Sequence, residues 1–236
     1  MTELHGKRLA AISRLFSSSV LREMARKDRR FLAPLIMSIL SAEFRGIDFF
    51  GRFTVETQKH NVPWYMTLAF ARQTFDESRH TQLNMQLLES LGSQVGEYPD
   101  IILGPQRDDI PPEELDPAIL LARINVALEG FALTTFEEIR GLAEDLGEDL
   151  VEHCHDYNMA DEVTHVALGD YWLEKLSEEQ PWRKQRARAV QEEFEKMMAM
   201  VRQMAMQYTG ASMASTTSGQ NGNGDQAAAP SPTQSG

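Results

Sequence analysis

The chain has 236 residues, 42% of them hydrophobic, and a formal net charge of −12. That length supports one substantial core, or one domain with an appendage, and the acidic balance argues against nucleic acid or an anionic membrane as a partner. The single cysteine, Cys154, excludes an intrachain disulfide framework, an iron–sulfur cluster and a four-cysteine zinc ribbon. No apolar run of about 18 residues marks a membrane span, and the N-terminus lacks the apolar segment of a secretory signal, so a cytoplasmic protein is expected.

In chain order, the first helix is expected over residues 6–27, with room for a break. Its basic residues, among them Lys7, Arg8, Arg22, Arg26 and Lys27, alternate with apolar positions and read as a solvated face. The next helix is expected over 29–60, with Pro34 near its start. Asn61-Val62-Pro63 stops it and opens a helix over 63–92 with proline in the first turn. Gly92 and Gly96 close that helix. Residues 93–116 then form a connection rich in proline and glycine. At about 3.3 Å per extended residue it can run the length of a helical bundle.

Asp116-Pro117 caps a helix over 117–146, Gly147 turns the chain into a helix over 148–178, and Gln180-Pro181 breaks it before a helix over 181–208. The methionines of the last helix (Met197, Met198, Met200, Met204, Met206) give an adaptable apolar face, for bundle packing or a dimer contact. Strand signals are nearly absent. The fold class expected is therefore all-α: a helical domain over 1–208 with its bundle core at 29–178. A tail at 209–236, dominated by Ser, Thr, Gly, Asn, Gln, Ala and Pro, is expected to be disordered because it cannot bury enough surface to offset its ordering entropy.

Two strings carry the chemistry. Asp76-Glu77-Ser78-Arg79-His80 and Asp161-Glu162-Val163-Thr164-His165 each contain Glu-x-x-His preceded by Asp, and a lone glutamate precedes each at nearly the same separation (Glu43 and Glu129). On a helix, positions i and i+3 share a face, so each motif aims a carboxylate and an imidazole at one point. Hairpin arithmetic sets Glu43 opposite Glu77, and Glu129 opposite Glu162, each roughly 22–27 Å from its turn at 1.5 Å per residue. Four carboxylates and two imidazoles at one level form the ligand set of a two-metal site, and these donors suit iron and manganese. Without metal, four packed glutamates would repel one another and be costly to desolvate.

Asp76 and Asp161 point sideways from the site. In a pseudo-symmetric bundle each can accept from the imidazole of the opposite hairpin, Asp76 from His165 and Asp161 from His80. Arg79 either braces an aspartate or makes an exposed ion pair. Gly46 and Ala132 stand one turn past the lone glutamates, followed by Ile47 and Leu133, then Phe50 and Phe136. These six leave either a gap for an organic substrate or a close helix contact. His155, two turns before Glu162, is either a supporting group or a histidine without function.

The six-ligand pattern, the hairpins and the long crossover resemble the ferritin-like di-iron carboxylate proteins over about residues 29–178. Asp-Glu-Ser-Arg-His and Asp-Glu-Val-Thr-His look like the Asp-Glu-x-Arg-His signature of bacterial multicomponent monooxygenase hydroxylases, with Thr164 departing from the arginine. Compact bundles with similar ligands include the aldehyde-deformylating oxygenases and the p-aminobenzoate N-oxygenase type. The latter carries a further histidine where this chain has Asn158. Ribonucleotide reductase small subunits differ at Asn84, where they carry a radical tyrosine, and rubrerythrins differ in adding a four-cysteine iron domain, which one cysteine cannot supply. Classical ferritins differ in usually lacking a second Glu-x-x-His.

The resemblance implies two iron ions, or a Mn/Fe pair, that reduce O2 to oxidise a small organic substrate by hydroxylation, N-oxygenation, desaturation or carbon–carbon cleavage. It also implies an external electron donor, a reductase or ferredoxin, since no flavin or nicotinamide motif is present. A homodimer is the expected assembly. The alternative is ferritin- or rubrerythrin-like iron oxidation or peroxide detoxification without an organic substrate.

Overall fold

The computed structural model describes the backbone of residues 18–98 and 115–218. Among them every regular element is helical. Helix α1 (Ser18–Lys27) ends at Asp28, whose carboxylate accepts from the Arg30 N–H at 2.9 Å and caps a 3-10 turn at Arg29–Leu32. Helix α2 (Ala33–Thr57) follows directly, with Pro34 in its first turn where no N–H is missed. It tightens into a 3-10 turn at Gln58–His60 and stops at Asn61, which takes the left-handed conformation (φ 52°) that asparagine tolerates. Pro63 then opens α3 (Trp64–Ser90).

The expected helix over 117–146 is present but not uniform. It begins as α4 (Pro117–Leu121), capped by the Asp116 carboxylate on the Ala118 N–H at 2.9 Å. A π-helical stretch at Ala122–Leu128 intervenes before α5 (Glu129–Leu146), and the Glu129 N–H reaches back to the Ile124 carbonyl, one residue further than an α-helix would take it. Gly147 (φ 69°) makes the turn into α6 (Asp149–Glu179). Helix α7 (Pro181–Ser218) runs past the expected end at 208. The expected helical residues 6–17, most of the expected connection at 93–116, and the tail beyond 218 lie outside the described residues.

Helices α2 and α3 pack along each other, as do α5 and α6; α3 and α6 join the two pairs, and α7 packs on the π-helical stretch. Two apolar clusters result. The first contains Leu35, Ile36, Ile39, Leu87, Leu88, Phe136, Ile139 and Val151. The second contains Phe50, Phe53, Met66, Phe70, Leu121, Ile124 and Leu176. Between them runs a layer of buried polar residues, which includes Glu43, Glu77, His80, Glu129, Glu162 and His165. Arg183 donates to Asp116 at 2.8 Å and to the Leu176 carbonyl at 3.1 Å, pinning the start of α7 against the start of α4.

No membrane span was expected, yet the continuous helix Pro117–Leu146 is long and apolar enough by length and composition to cross one. Its apolar character has a local cause: Ala118, Ile119, Leu120, Leu121, Ala122 and Ile124 are all buried, most of them in the second cluster.

The π-helical stretch is held by close contact with α6. A Cβ placed on Gly169 would fall 2.5 Å from the Asn125 Cβ and 3.3 Å from the Asn125 backbone carbon. Backbone cannot yield as a flexible side chain can, so Gly169→Ala forces the helices apart. Overpacking of this kind costs about 1–3 kcal/mol. Thermal unfolding of the variant is expected to shift down by roughly 2–12 °C, at about 2–4 °C per kcal/mol for a domain of this size. An unchanged midpoint would show that the contact can relax.

Candidate metal centre

The six ligand candidates converge. The ligand atoms of Glu43, Glu77, His80 and Glu162 lie within 4.8 Å of one another, and so do those of Glu77, Glu129, Glu162 and His165. All six are buried. Glu77 and Glu162 belong to both sets, whereas each histidine belongs to one. His80 Nδ1 stands 3.0 Å from Glu43 Oε2 and 3.3 Å from Glu162 Oε1. His165 Nδ1 stands 2.8 Å from Glu162 Oε2 and 3.8 Å from Glu77 Oε1.

Both imidazoles turn the other nitrogen outward. His80 Nε2 meets Asp161 Oδ2 at 3.1 Å and His165 Nε2 meets Asp76 Oδ2 at 3.4 Å, the two cross-hairpin pairs expected from pseudo-symmetry. Arg79 joins them: it donates to Asp161 at 2.6 Å and to Asp76 at 3.3 Å, and its guanidinium lies 5.1 Å from the Tyr157 ring centroid. Of the two readings open to Arg79, bracing is the observed one, and it braces both aspartates. Arg72 adds a second contact to Asp76 at 3.3 Å.

The glutamates carry the strain of burial. Desolvation pushes the Glu77 carboxyl well above its usual range, and the neighbouring Glu43, Glu129 and Glu162 push it further. Desolvation does the same to Glu129, aided by Glu162 and Glu43. Burial would also raise Glu162, but hydrogen bonds from His165 and His80 outweigh it and bring the group down to about 2. Burial would lower His80, yet the carboxylates of Glu162 and Glu43 carry it up to about 10. His80 therefore carries a proton at neutral pH, and the burial of Glu77 and Glu129 favours their uncharged forms.

The donor set fits divalent cations. Four carboxylates offset two divalent charges, and each Nδ1 faces the ligand carboxylates while Nε2 lies against an aspartate. Glu77 Oε1 is buried without a hydrogen-bond partner, as a carboxylate oxygen awaiting a cation would be.

Two supporting residues escaped the sequence reading. Gln73 Nε2 donates to Glu129 Oε1 at 3.0 Å, and Gln73 Oε1 accepts from Asn125 Nδ2 at 2.8 Å. Asn125 Nδ2 also lies 3.3 Å from the His165 carbonyl. A signal existed: Gln73 stands four residues before Glu77 and Asn125 four before Glu129, one turn along the same helix face. The π-helical register, which presents Asn125 inward, had none.

The six candidates for a substrate gap fall in different parts of the packing. A Cβ on Gly46 would fall 2.5 Å from Glu77 Oε2 and 2.8 Å from its Cδ, so the room left by that glycine is filled by the Glu77 carboxylate. Phe50 belongs to the second apolar cluster, with its ring 6.4 Å from that of His165. Phe136 belongs to the first, and Ala132 packs against that cluster too. Ile47 and Leu133 are half-buried. The pseudo-twofold relation explains the separation: the chain leaves Glu43 toward one cluster and Glu129 toward the other.

Comparison of the chain with protein-family models, with curated proteins and with solved structures finds no match. What can be said of the site rests on its own geometry.

Two outcomes are expected. Because His80 is held protonated, and burial favours the neutral carboxyls of Glu77 and Glu129, metal uptake is expected to release protons and affinity to rise with pH. Titrating metal-free protein with Mn(II) at pH 7 by calorimetry, in buffers of differing ionisation enthalpy, should report net release of more than one proton; zero release would contradict the charge assignment. Removing the carboxylate of Asp161 by Asp161→Ala should weaken metal binding by about 10–100-fold, measured by competition with a chelator.

Proposed function

We propose that the chain is a ferritin-like di-iron oxidoreductase that uses O2 to oxidise a small organic substrate. The observation that carries this reading is the sharing of Glu77 and Glu162 between the two ligand sets. A pair of bridging carboxylates holds two metal ions side by side, and such a pair is suited to two-electron chemistry. A single-ion site or a structural cluster of ion pairs needs no sharing.

In this reading Glu43 and His80 complete one metal position, Glu129 and His165 the other. Bound iron, or a Mn/Fe pair, would supply the reduction of O2. The protein's own contribution is positional. Asp161 and Asp76 hold the Nε2 protons of His80 and His165 and so keep each Nδ1 free for a metal. Arg79 ties the two aspartates together, so both imidazoles are oriented by one guanidinium. Gln73 fixes the Glu129 carboxylate through its amide. The apolar clusters on either side exclude water from the layer.

The arrangement proposed is two antiparallel helical hairpins joined by a long crossover, with further helices at each end, acting as a homodimer in the cytoplasm. Hydroxylation and desaturation each draw from the substrate two of the four electrons that O2 accepts and leave two to be supplied by an external donor. A reductase or ferredoxin is the proposed donor.

The test is anaerobic loading with Fe(II), metal analysis, then rapid mixing with O2 under optical and Mössbauer observation. Two irons per chain and a limited O2 consumption of about one molecule per iron pair are expected. Glu162→Ala, which removes a carboxylate from both positions, should abolish the O2 reaction. Continued iron uptake with formation of a ferric mineral would replace this reading by iron storage.

A further inference from the structure

Polar side chains border the ligand layer on both sides, and the two borders are finished differently. Gln73 and Asn158 occupy equivalent places, each four residues before the glutamate of a Glu-x-x-His. Gln73 uses both ends of its amide, donating to Glu129 and accepting from Asn125. Asn158 uses neither: Nδ2 and Oδ1 are both buried without a partner.

Asn158 is not alone. His155 lies on the same face of α6, three residues earlier, and its Nε2 is buried and unpartnered. Its Nδ1 stands 2.8 Å from the Val151 carbonyl and donates to it, which leaves the lone pair on Nε2. Asn84, one turn past His80 on α3, donates Nδ2 to the His80 carbonyl at 2.9 Å, so its unpartnered atom is Oδ1. All three residues are at most 1% exposed.

Their level in the fold follows from the helices. Along α3 the order is His80, Asn84, then Leu87 and Leu88 of the first apolar cluster; along α6 it is Val151 of that cluster, His155, Asn158, Glu162. Phe136 comes from α5 to the same level, its ring centroid 5.5 Å from that of His155. Three side chains, each with a polar atom that lacks a partner, thus lie along the helices between the ligands and the first cluster. Burial keeps His155 uncharged, with its proton affinity lowered to about 4, so Nε2 remains an acceptor at neutral pH.

We propose that His155, Asn158 and Asn84 bind the uncharged head group of the organic substrate, an alcohol or a primary carboxamide, with the carbon skeleton against Phe136. This rests on the oxygenase reading above. The chemical class follows from the inventory of atoms: three acceptors (His155 Nε2, Asn158 Oδ1, Asn84 Oδ1) and one donor, the Asn158 amide. A carboxylate brings no hydrogen to three acceptors and would be repelled by the ligand glutamates. An ammonium brings no acceptor for the Asn158 amide. A hydroxyl or a carboxamide donates and accepts at once.

The experiment uses the full chain loaded with zinc, which is diamagnetic and redox-inert, and labelled with 15N-histidine. Metal analysis comes first: fewer than two zinc ions per chain would fail the metal reading itself. With two bound, the His155 Nε2 resonance is followed during titration with butanamide, 1-butanol and sodium butanoate. A saturable shift with the amide or the alcohol, none with butanoate, and loss of the shift in Asn158→Leu are expected. Asn158→Leu should also melt no lower than the parent, because it removes buried polar atoms that lack partners. Asn84→Leu serves as a second variant if the first does not fold. No saturable shift with either neutral probe would overturn the proposal. So would a resonance already in the hydrogen-bonded position before any probe is added, which would mark a resident water as the occupant.

Discussion

Four carboxylates buried around two imidazoles dominate the energetics of this chain. Each glutamate would cost several kcal/mol to desolvate alone, and together they repel. Much else in the structure answers that cost. The imidazoles stand between carboxylates on the inside and an aspartate on the outside, so charge alternates outward from the centre. Arg79 and Arg72 close the alternation where Asp76 and Asp161 approach the surface. Gly46 gives up its side chain so that the Glu77 carboxylate has a place to lie.

The same constraint explains the local irregularity of the helix that carries Glu129. An even α-helix from Pro117 would rotate its residues by a constant angle. One extra residue in the turn resets that phase, so that Asn125 and Glu129 both face inward while Leu120, Leu121 and Ile124 still reach the second apolar cluster. Gly169 on α6 makes room for the widened turn. The polar layer and the apolar layers thus have separate demands on one helix, and the π-helical stretch reconciles them.

Much of this was legible in the residues. The helix breaks at Asn61-Val62-Pro63, Asp116-Pro117, Gly147 and Gln180-Pro181 are where fixed φ angles, missing N–H groups and left-handed turns require them. The six ligand candidates were legible because i,i+3 spacing and hairpin length are matters of geometry alone, and the aspartate–histidine cross-pairs followed from the same symmetry. The space beside the site was not legible. Small residues at Gly46 and Ala132 indicate that something large is near but not whether it is a ligand or a neighbouring side chain; at Gly46 it is the Glu77 carboxylate. Gln73 and Asn125 were missed because a polar residue one turn from a ligand has many possible partners, and only the packed helices select one. The π-helical register has no residue signature of its own, since it arises from tertiary fit.

The order Asp-Glu in both motifs has a consequence for assembly. Within each string the glutamate serves the shared centre, while the aspartate beside it steadies the histidine of the other string. Each hairpin holds the inner nitrogen of its own imidazole, but the outer nitrogen finds its partner only on the other hairpin. A half-folded chain with one hairpin formed would own a carboxylate pair and a histidine held at one nitrogen only, a poorer site for any ion. Correct docking of the two halves is therefore a precondition for tight metal capture, and the centre acts as a checkpoint that only the completed tertiary structure can pass.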